Sequence, residues 1–215
     1  MTPGSAASTT SVVPDRRGDA FAPDQVPDNY ARVLAPAMFE PWARVLIESV
    51  GVPPGETVLD VATGTGVVAR LAARSTGPTG QVVAADISAA MLTVGGAPPV
   101  ASDSAPIEWV QAPATNLGLP AGTFGVVLCQ QGLPFFTDRL GATREMRRVL
   151  RPGGIAGLSV WAADCPLFPF HDYIEVLSAH GVPAPFPGAY DSSSYVMNER
   201  GTAQRPARRR RLLGD

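Results

Sequence analysis

The sequence predicts an open α/β sheet, doubly wound and mostly parallel, on three observations. Short apolar runs alternate with helical patterns from Thr57 onward. The first run, Val58-Leu59-Asp60-Val61, ends in a turn carrying Gly64 and Gly66 and leads directly into a helical pattern. The second, Gln81 to Ala85, ends in an acid, Asp86, twenty residues past Gly66. Strands alternating with helices build parallel sheets through right-handed crossovers. A glycine turn followed by an acid at the tip of the next strand is how such Rossmann-like sheets hold a nucleoside.

Residues 1–28 are rich in Ser, Thr, Pro, Gly and Ala with no apolar period, and are expected to be disordered. Residues 29–190 are expected to form the domain, and 191–215 an irregular basic tail. Pro36 to Val50 reads as an amphipathic helix with Met38, Phe39, Trp42, Val45, Leu46 and Val50 on one face. Pro41 fits only its first turn and Gly51 is placed to end it. Strands are predicted at Thr57–Val61, Gln81–Ala85, Ile107–Gln111, Gly125–Gln130 and Ile155–Trp161.

Helical patterns lie between these strands, at Val67–Arg74, Ser88–Thr93, a stretch near Thr115, and Arg139–Leu150. The first turns Val67, Val68 and Leu71 inward and Arg70 and Arg74 outward. In the last, Asp138 caps the start, Leu140, Met146, Val149 and Leu150 face the sheet, and Glu145 can reach Arg148. Arg144, Arg147, Arg148 and Arg151 form a solvated face rather than an anion patch. Pro152-Gly153-Gly154 is expected to stop the helix and turn the chain into the fifth strand. Beyond Trp161 there is one helical stretch, Phe170 to His180, and then a proline-rich loop. Nothing in Asp191–Asp215, with its run Arg208–Arg211, reads as a strand.

Composition bounds the function. The chain has 215 residues and a net charge of −2, so no whole-molecule field selects nucleic acid or membrane. It has no apolar run long enough to cross a bilayer. It also lacks a charged-then-apolar leader, which gives a cytoplasmic expectation. Cys129 and Cys165 suggest no disulfide framework, and Cys129 reads as a small core residue. Every basic residue is arginine. The absence of lysine excludes a Walker phosphate loop. Together with abundant Ala, Gly and Pro, it suggests a GC-rich, bacterial coding sequence. No metal-ligand cluster or catalytic triad is visible.

Two ligand classes compete for the glycine turn. Gly64-x-Gly66-x-x-Ala69 fits the degenerate fingerprint of a dinucleotide site. Asp60 argues against that reading, because an acid beside the turn repels a diphosphate. The same acid favours the methionine end of S-adenosylmethionine, which carries an ammonium and a sulfonium. The free N–H groups at the start of the following helix suit that ligand's carboxylate, and Asp86 can accept hydrogen bonds from both ribose hydroxyls.

Six ordered segments carry a resemblance. They are Phe39-Glu40-Pro41-Trp42-Ala43, Val58 to Ala69, Ala85-Asp86-Ile87-Ser88 with Met91-Leu92, Leu119 to Phe124, Val126 to Gln131, and Glu145 to Gly154. With them the chain, from about Tyr30 to Trp161, resembles the class I S-adenosylmethionine-dependent methyltransferases, in the group of quinone-biosynthesis C-methyltransferases and small-molecule methyltransferases. The resemblance implies a Rossmann-like sheet of methyltransferase type and a small-molecule acceptor methylated at oxygen or carbon. It implies that Asp60 and the turn Ala62, Thr63, Gly64 and Gly66 hold the methionine end, and that Asp86 takes the ribose. Ile87 and Met91 would pack on adenine, the N–H of Ala114 would meet an adenine ring nitrogen, and Gln130 with Gln131 would line the transfer mouth. Tyr30 and Phe39 would close over the cofactor, and His171 is a candidate base.

The chain departs from the family pattern in three places. Pro113 stands where the family places an acid that receives the adenine amine, and weaker cofactor binding is expected. Gly125 stands where an acid opens the fourth strand. The family's C-terminal strand hairpin has no counterpart after Trp161, so the ending resembles a truncated tail. That leaves the fifth strand as an apolar edge open to self-association. Two alternatives stand beside methyl transfer. One is an inactive remnant that at most binds the cofactor. The other is a nucleotide-dependent oxidoreductase, which Asp60 disfavours.

Overall fold

The computed structural model describes residues 26–161 and residue 179. The expectations for residues 1–25, Cys165, His171, the helix at Phe170–His180, the missing hairpin and the 191–215 tail lie outside the described residues. The described chain opens with helical structure where disorder was expected up to Asp28. The single turn α1 (Val26–Asn29) passes into a π-helical stretch, Tyr30–Phe39, and then into α2 (Glu40–Val50). Pro41 lies in the first turn of α2, where no intrahelical bond needs its N–H. Gly51 ends the helix in a left-handed conformation, φ 67°, with its N–H donated to the Ile47 carbonyl.

Five strands follow: β1 (Thr57–Val61), β2 (Gln81–Asp86), β3 (Ile107–Gln111), β4 (Phe124–Gln130) and β5 (Leu150–Ser159). They form one parallel sheet in the order β3-β2-β1-β4-β5. Helix α3 (Val67–Thr76) links β1 to β2, α4 (Ala89–Gly96) lies between β2 and β3, and α5 (Arg139–Val149) leads into β5. Alternation along each strand divides the interior in two. Val58, Val82, Ala84, Val126 and Leu128 face α2 and α3. Leu59, Val61, Val83, Val127 and Cys129 face α5 and the chain leading to it.

The buried face of α2 is not the expected stripe. Ala43, Leu46 and Ile47 are buried and Val50 packs beside them, whereas Trp42 and Val45 stand about half exposed at 51% and 49%. The reason lies in β5. Gly157 has no side chain, and an ideal Cβ there would press into Val50 and stand 3.3 Å from Leu46. The close approach of α2 to the strand therefore turns the side of the helix that carries Leu46 and Val50 inward. Leu140 in α5 is likewise 60% exposed, against expectation, while Ala142, Met146 and Val149 are buried. At about 100° per residue, Leu140 lies on the opposite side of the helix from Ala142.

β5 begins at Leu150, and Pro152-Gly153-Gly154 lie inside it rather than marking a stop. As an edge strand it tolerates proline. Its pairing with β4 slips in register between Phe124 and Val126, at Gly125. An added Cβ at Gly125 would run into the Glu56 carboxylate. That carboxylate accepts the Thr57 N–H at 2.8 Å and pairs with Arg151 at 2.7 Å. The departure at Gly125 thus makes room for a half-buried ion pair at the base of the sheet. Near Thr115 there is a turn rather than a helix, closed by the Asn116 N–H on the Pro113 carbonyl at 2.9 Å. Glu145 braces the next residues, accepting the Leu117 N–H at 2.9 Å and pairing with Arg148 through both carboxylate oxygens. No helix among the described residues is long and apolar enough to cross a membrane.

Candidate cofactor site

The strand order reverses beside β1, whose neighbours are β2 and β4. In open parallel sheets the crevice for a ligand lies at the carboxyl ends of the strands at such a reversal. The chain leaves β1 there through a turn with three left-handed residues, Ala62 (φ 58°), Gly64 (φ 56°) and Gly66 (φ 85°). Glycine takes that conformation freely, whereas Ala62 pays for it in strain. The Thr63 N–H reaches the Ala85 carbonyl at 3.0 Å, and the Gly66 N–H reaches the Thr63 carbonyl at 2.9 Å.

The two acids at the strand tips are both bonded to this turn. Asp60 is 1% exposed; its Oδ2 accepts the Thr63 hydroxyl at 2.6 Å, and it also receives the Ala69 N–H in the first turn of α3. Burial pushes its carboxyl up to about 7, against the pull of those two bonds, and the nearby Asp86 charge adds to the rise. Asp86 accepts the Gly64 N–H on Oδ2 and the Ser88 N–H on Oδ1, each at 2.8 Å. Each oxygen keeps a lone pair for a further donor. The structure therefore brings Asp60, Thr63, Gly64 and Asp86 into one hydrogen-bonded unit. Asp60 lies beneath the turn, out of water, while Asp86 lies beside the turn.

The other predicted residues surround that unit. Ile87 is left 70% exposed at the end of β2, an apolar side chain in water at the rim. Ser88 caps α4 by accepting the Met91 N–H at 3.3 Å, which fixes a half-buried Met91 next to Ile87. The Ala112 N–H meets the Asp86 carbonyl at 2.9 Å, so Pro113 and Ala114 leave β3 beside the same rim. At the tip of β4, Gln130 donates its amide to the Phe39 carbonyl at 2.9 Å. Gln131, at φ 57°, accepts the Trp161 N–H at 2.9 Å. Both glutamines therefore anchor chain segments at the mouth rather than presenting free amides to it.

Tyr30 approaches the turn itself: an ideal Cβ on Gly64 would stand 3.9 Å from its ring. Tyr30 stacks on Phe39 at 5.1 Å between ring centres, and Phe39 lies 6.5 Å from Trp161. Sequence reasoning missed Gly132, where a Cβ would stand 2.6 Å from that of Ala62. The signal was present in a glycine two residues past the end of the fourth strand. The Cys129 thiol beneath it is pushed up to about 12 by burial and is an inert core group.

The donor set fits a ligand that carries positive charge and hydroxyl donors, with Ile87 as an apolar flank. Two carboxylates meet the glycine turn, and the groups that shift Asp60 include no basic side chain. Among the described residues no group of three or more His, Cys, Asp or Glu is placed to hold a metal ion.

Comparison with known proteins agrees with this geometry. A model of the ubiE/COQ5 methyltransferase family matches residues 24–182. The chain belongs to the ubiE/COQ5 methyltransferase family. It is 46% identical over 114 residues to the ubiquinone/menaquinone biosynthesis C-methyltransferase UbiE of Hahella chejuensis, covering 53% of this chain and 46% of that protein. It is 46% identical over 123 residues to UbiE of Pseudomonas putida KT2440, covering 57% and 48%. The chain thus spans about half the length of the curated relatives it matches. A solved S-adenosylmethionine-dependent methyltransferase from Aquifex aeolicus superposes with a TM-score of 0.55 at 20% identity, over 72% of this chain and 87% of that one. That superposition shows the Rossmann-like methyltransferase fold for this ubiE/COQ5 family member.

Proposed function

We propose that this chain binds S-adenosylmethionine and transfers its methyl group to a small-molecule acceptor, with carbon as the receiving atom by likeness to the UbiE relatives. The observation that carries the reading is the convergence of Asp60 and Asp86 on one glycine turn. A diphosphate ligand would meet the Asp86 carboxylate there and oppose the ionisation of Asp60; an ammonium and a sulfonium meet the one and favour the other. The cofactor supplies an activated methyl on a cationic sulfur, so the protein's main task is alignment of the acceptor.

In this reading the turn from Ala62 to Gly66 and the start of α3 hold the amino-acid end. Asp86 holds the ribose, and Ile87, Met91 and the Ala114 N–H form the adenine pocket. Gln130 and Gln131 act by fixing Phe39 and Trp161 around the mouth. His171 remains the candidate base. We place the protein in the cytoplasm, with a small molecule as its acceptor and self-association through the edge of β5. The domain is proposed to span residues 29–190.

Calorimetry with S-adenosylhomocysteine and, separately, NADH tests the cofactor. Binding of the first and not the second is expected, and the reverse result overturns the reading. Pro113 favours a second reading, that of a fold that binds cofactor weakly without turnover. A tritiated-methyl transfer screen over quinol and phenol acceptors separates the two, since a chain without turnover labels nothing while still binding S-adenosylhomocysteine.

A further inference from the structure

One side chain outside the recognised site fills the space between its two halves. Trp109, in the middle of β3, is half-buried on the face toward α3 and α4. Its indole lies directly against Gly66, the residue that caps α3, where an added Cβ would collide with the ring. The same ring lies against the last turn of α4. A Cβ on Gly95 would stand 2.8 Å from it and 3.0 Å from the Thr65 carbonyl, and one on Gly96 would stand 3.6 Å away. The glycine turn, α4 and β3 therefore meet at one joint that has no room for a side chain at Gly66 or Gly95. Arg70 closes the joint from outside. Its guanidinium lies 5.8 Å from the centre of the indole and donates to the carbonyls of Gly95, Pro98 (2.8 Å) and Pro99 (3.3 Å). A helix residue expected to point into solvent is thus bound to a carbonyl of α4 and to two carbonyls of the loop that follows it.

The joint connects the two elements that hold opposite ends of the cofactor. On one side is the start of α3, with the turn that cradles the amino-acid end. On the other is α4, whose first turn carries Met91 at the adenine rim. Close-packed interiors transmit small displacements rather than absorb them, so the width of Trp109 sets the separation of the two halves. We propose that Trp109, locked by Arg70, is a positioning residue that fixes the distance between the glycine turn and the adenine helix. The proposal rests on the cofactor reading above. It assigns to β3 a role in cofactor affinity that no contact with the ligand supplies.

The test compares affinity with stability. Trp109→Leu, Trp109→Phe and Arg70→Gln are measured for S-adenosylhomocysteine binding by calorimetry and for thermal melting. Val149→Ala, in the opposite core layer at 0% exposure, serves as a core-packing control. Trp109→Leu is expected to bind at least tenfold more weakly at a temperature where circular dichroism shows it folded. Arg70→Gln is expected to lose about threefold to tenfold, and Trp109→Phe to recover most of the loss. Val149→Ala is expected to melt earlier yet bind as the unaltered protein does. Unchanged affinity in Trp109→Leu overturns the proposal, as does a loss that tracks melting temperature across all four variants. If Trp109→Leu does not fold, Arg70→Gln decides by the same criterion. If the unaltered protein fails to bind S-adenosylhomocysteine, the cofactor reading falls and the proposal falls with it.

Discussion

Asp60 is a carboxylate kept almost wholly out of water with two hydrogen bonds and no counter-charge among the groups that shift it. Its folded pKa is raised to about 7 from an ordinary 3.8. The folded protein therefore holds this proton more tightly than the unfolded chain does. The group's contribution to stability is greatest at low pH, declines as pH rises from about 4 to about 7, and stays at its lower level above that. Asp60→Asn removes the decline. Its urea midpoint, relative to the unaltered protein, is expected to rise between pH 5 and pH 8, and a constant difference would contradict the burial argument. The same variant is expected to bind S-adenosylmethionine more weakly and without the gain in affinity that the ionising acid confers near pH 7, as calorimetry across that range would show. On the proposed reading, stability and cofactor recognition pull in opposite directions at this residue. At Pro113, exposed beside the proposed adenine pocket, Pro113→Asp would supply an acceptor for the adenine amine. It is expected to tighten S-adenosylhomocysteine binding by about fivefold, the effect of roughly 1 kcal/mol, and calorimetry that shows no change removes this account of the pocket.

At the scale of elements, what holds the site is the fit between neighbours rather than the propensity of any one segment. α2 approaches β5 through Gly157, and α5 is tied to the β3–β4 connection by Glu145 on the Leu117 N–H. At the base of the sheet, Glu56 occupies the volume that a side chain on Gly125 would take. Gly125→Ala forces that carboxylate away from Arg151 and the Thr57 N–H. It is expected to cost about 1–3 kcal/mol, the usual penalty for overfilling a packed interior, read from chemical denaturation. Glu56→Ala combined with Gly125→Ala frees the space, so the double variant is expected to show less than the summed loss. Strictly additive losses would show that the two positions do not compete for volume.

For the whole molecule, the open question is the outer edge of β5. Among the described residues no strand pairs with it, and Ile155 and Leu158 are 48% and 42% exposed along it. Unpaired apolar edges recruit further strands. The expected outcome is concentration-dependent sedimentation of the intact chain, reduced when Ile155→Lys and Leu158→Lys are introduced together. A monomer at all concentrations would show that the edge is covered.

The sequence by itself determined the first four strands and the middle of the fifth, their parallel winding, the glycine turn and both acids, because each is encoded locally. Apolar runs of strand length, glycines where φ is positive and an acid at a strand tip need no distant partner to be read. Helix ends read equally well where a cap sets them, as at Asp138 and Gly51. Orientation about a helix axis was decided only in three dimensions. Trp42 and Leu140 are as apolar as the residues buried beside them, and only the approach of β5 to α2 and the 200° between Leu140 and Ala142 set which side faces in. The partners of polar side chains were decided there too. Arg70 reads as a solvated helix residue, and Gln130 and Gln131 read as mouth-lining amides. Their acceptors and donors, at Gly95, Pro98, Phe39 and Trp161, come from segments 25 to 91 residues away, a separation that no local pattern encodes.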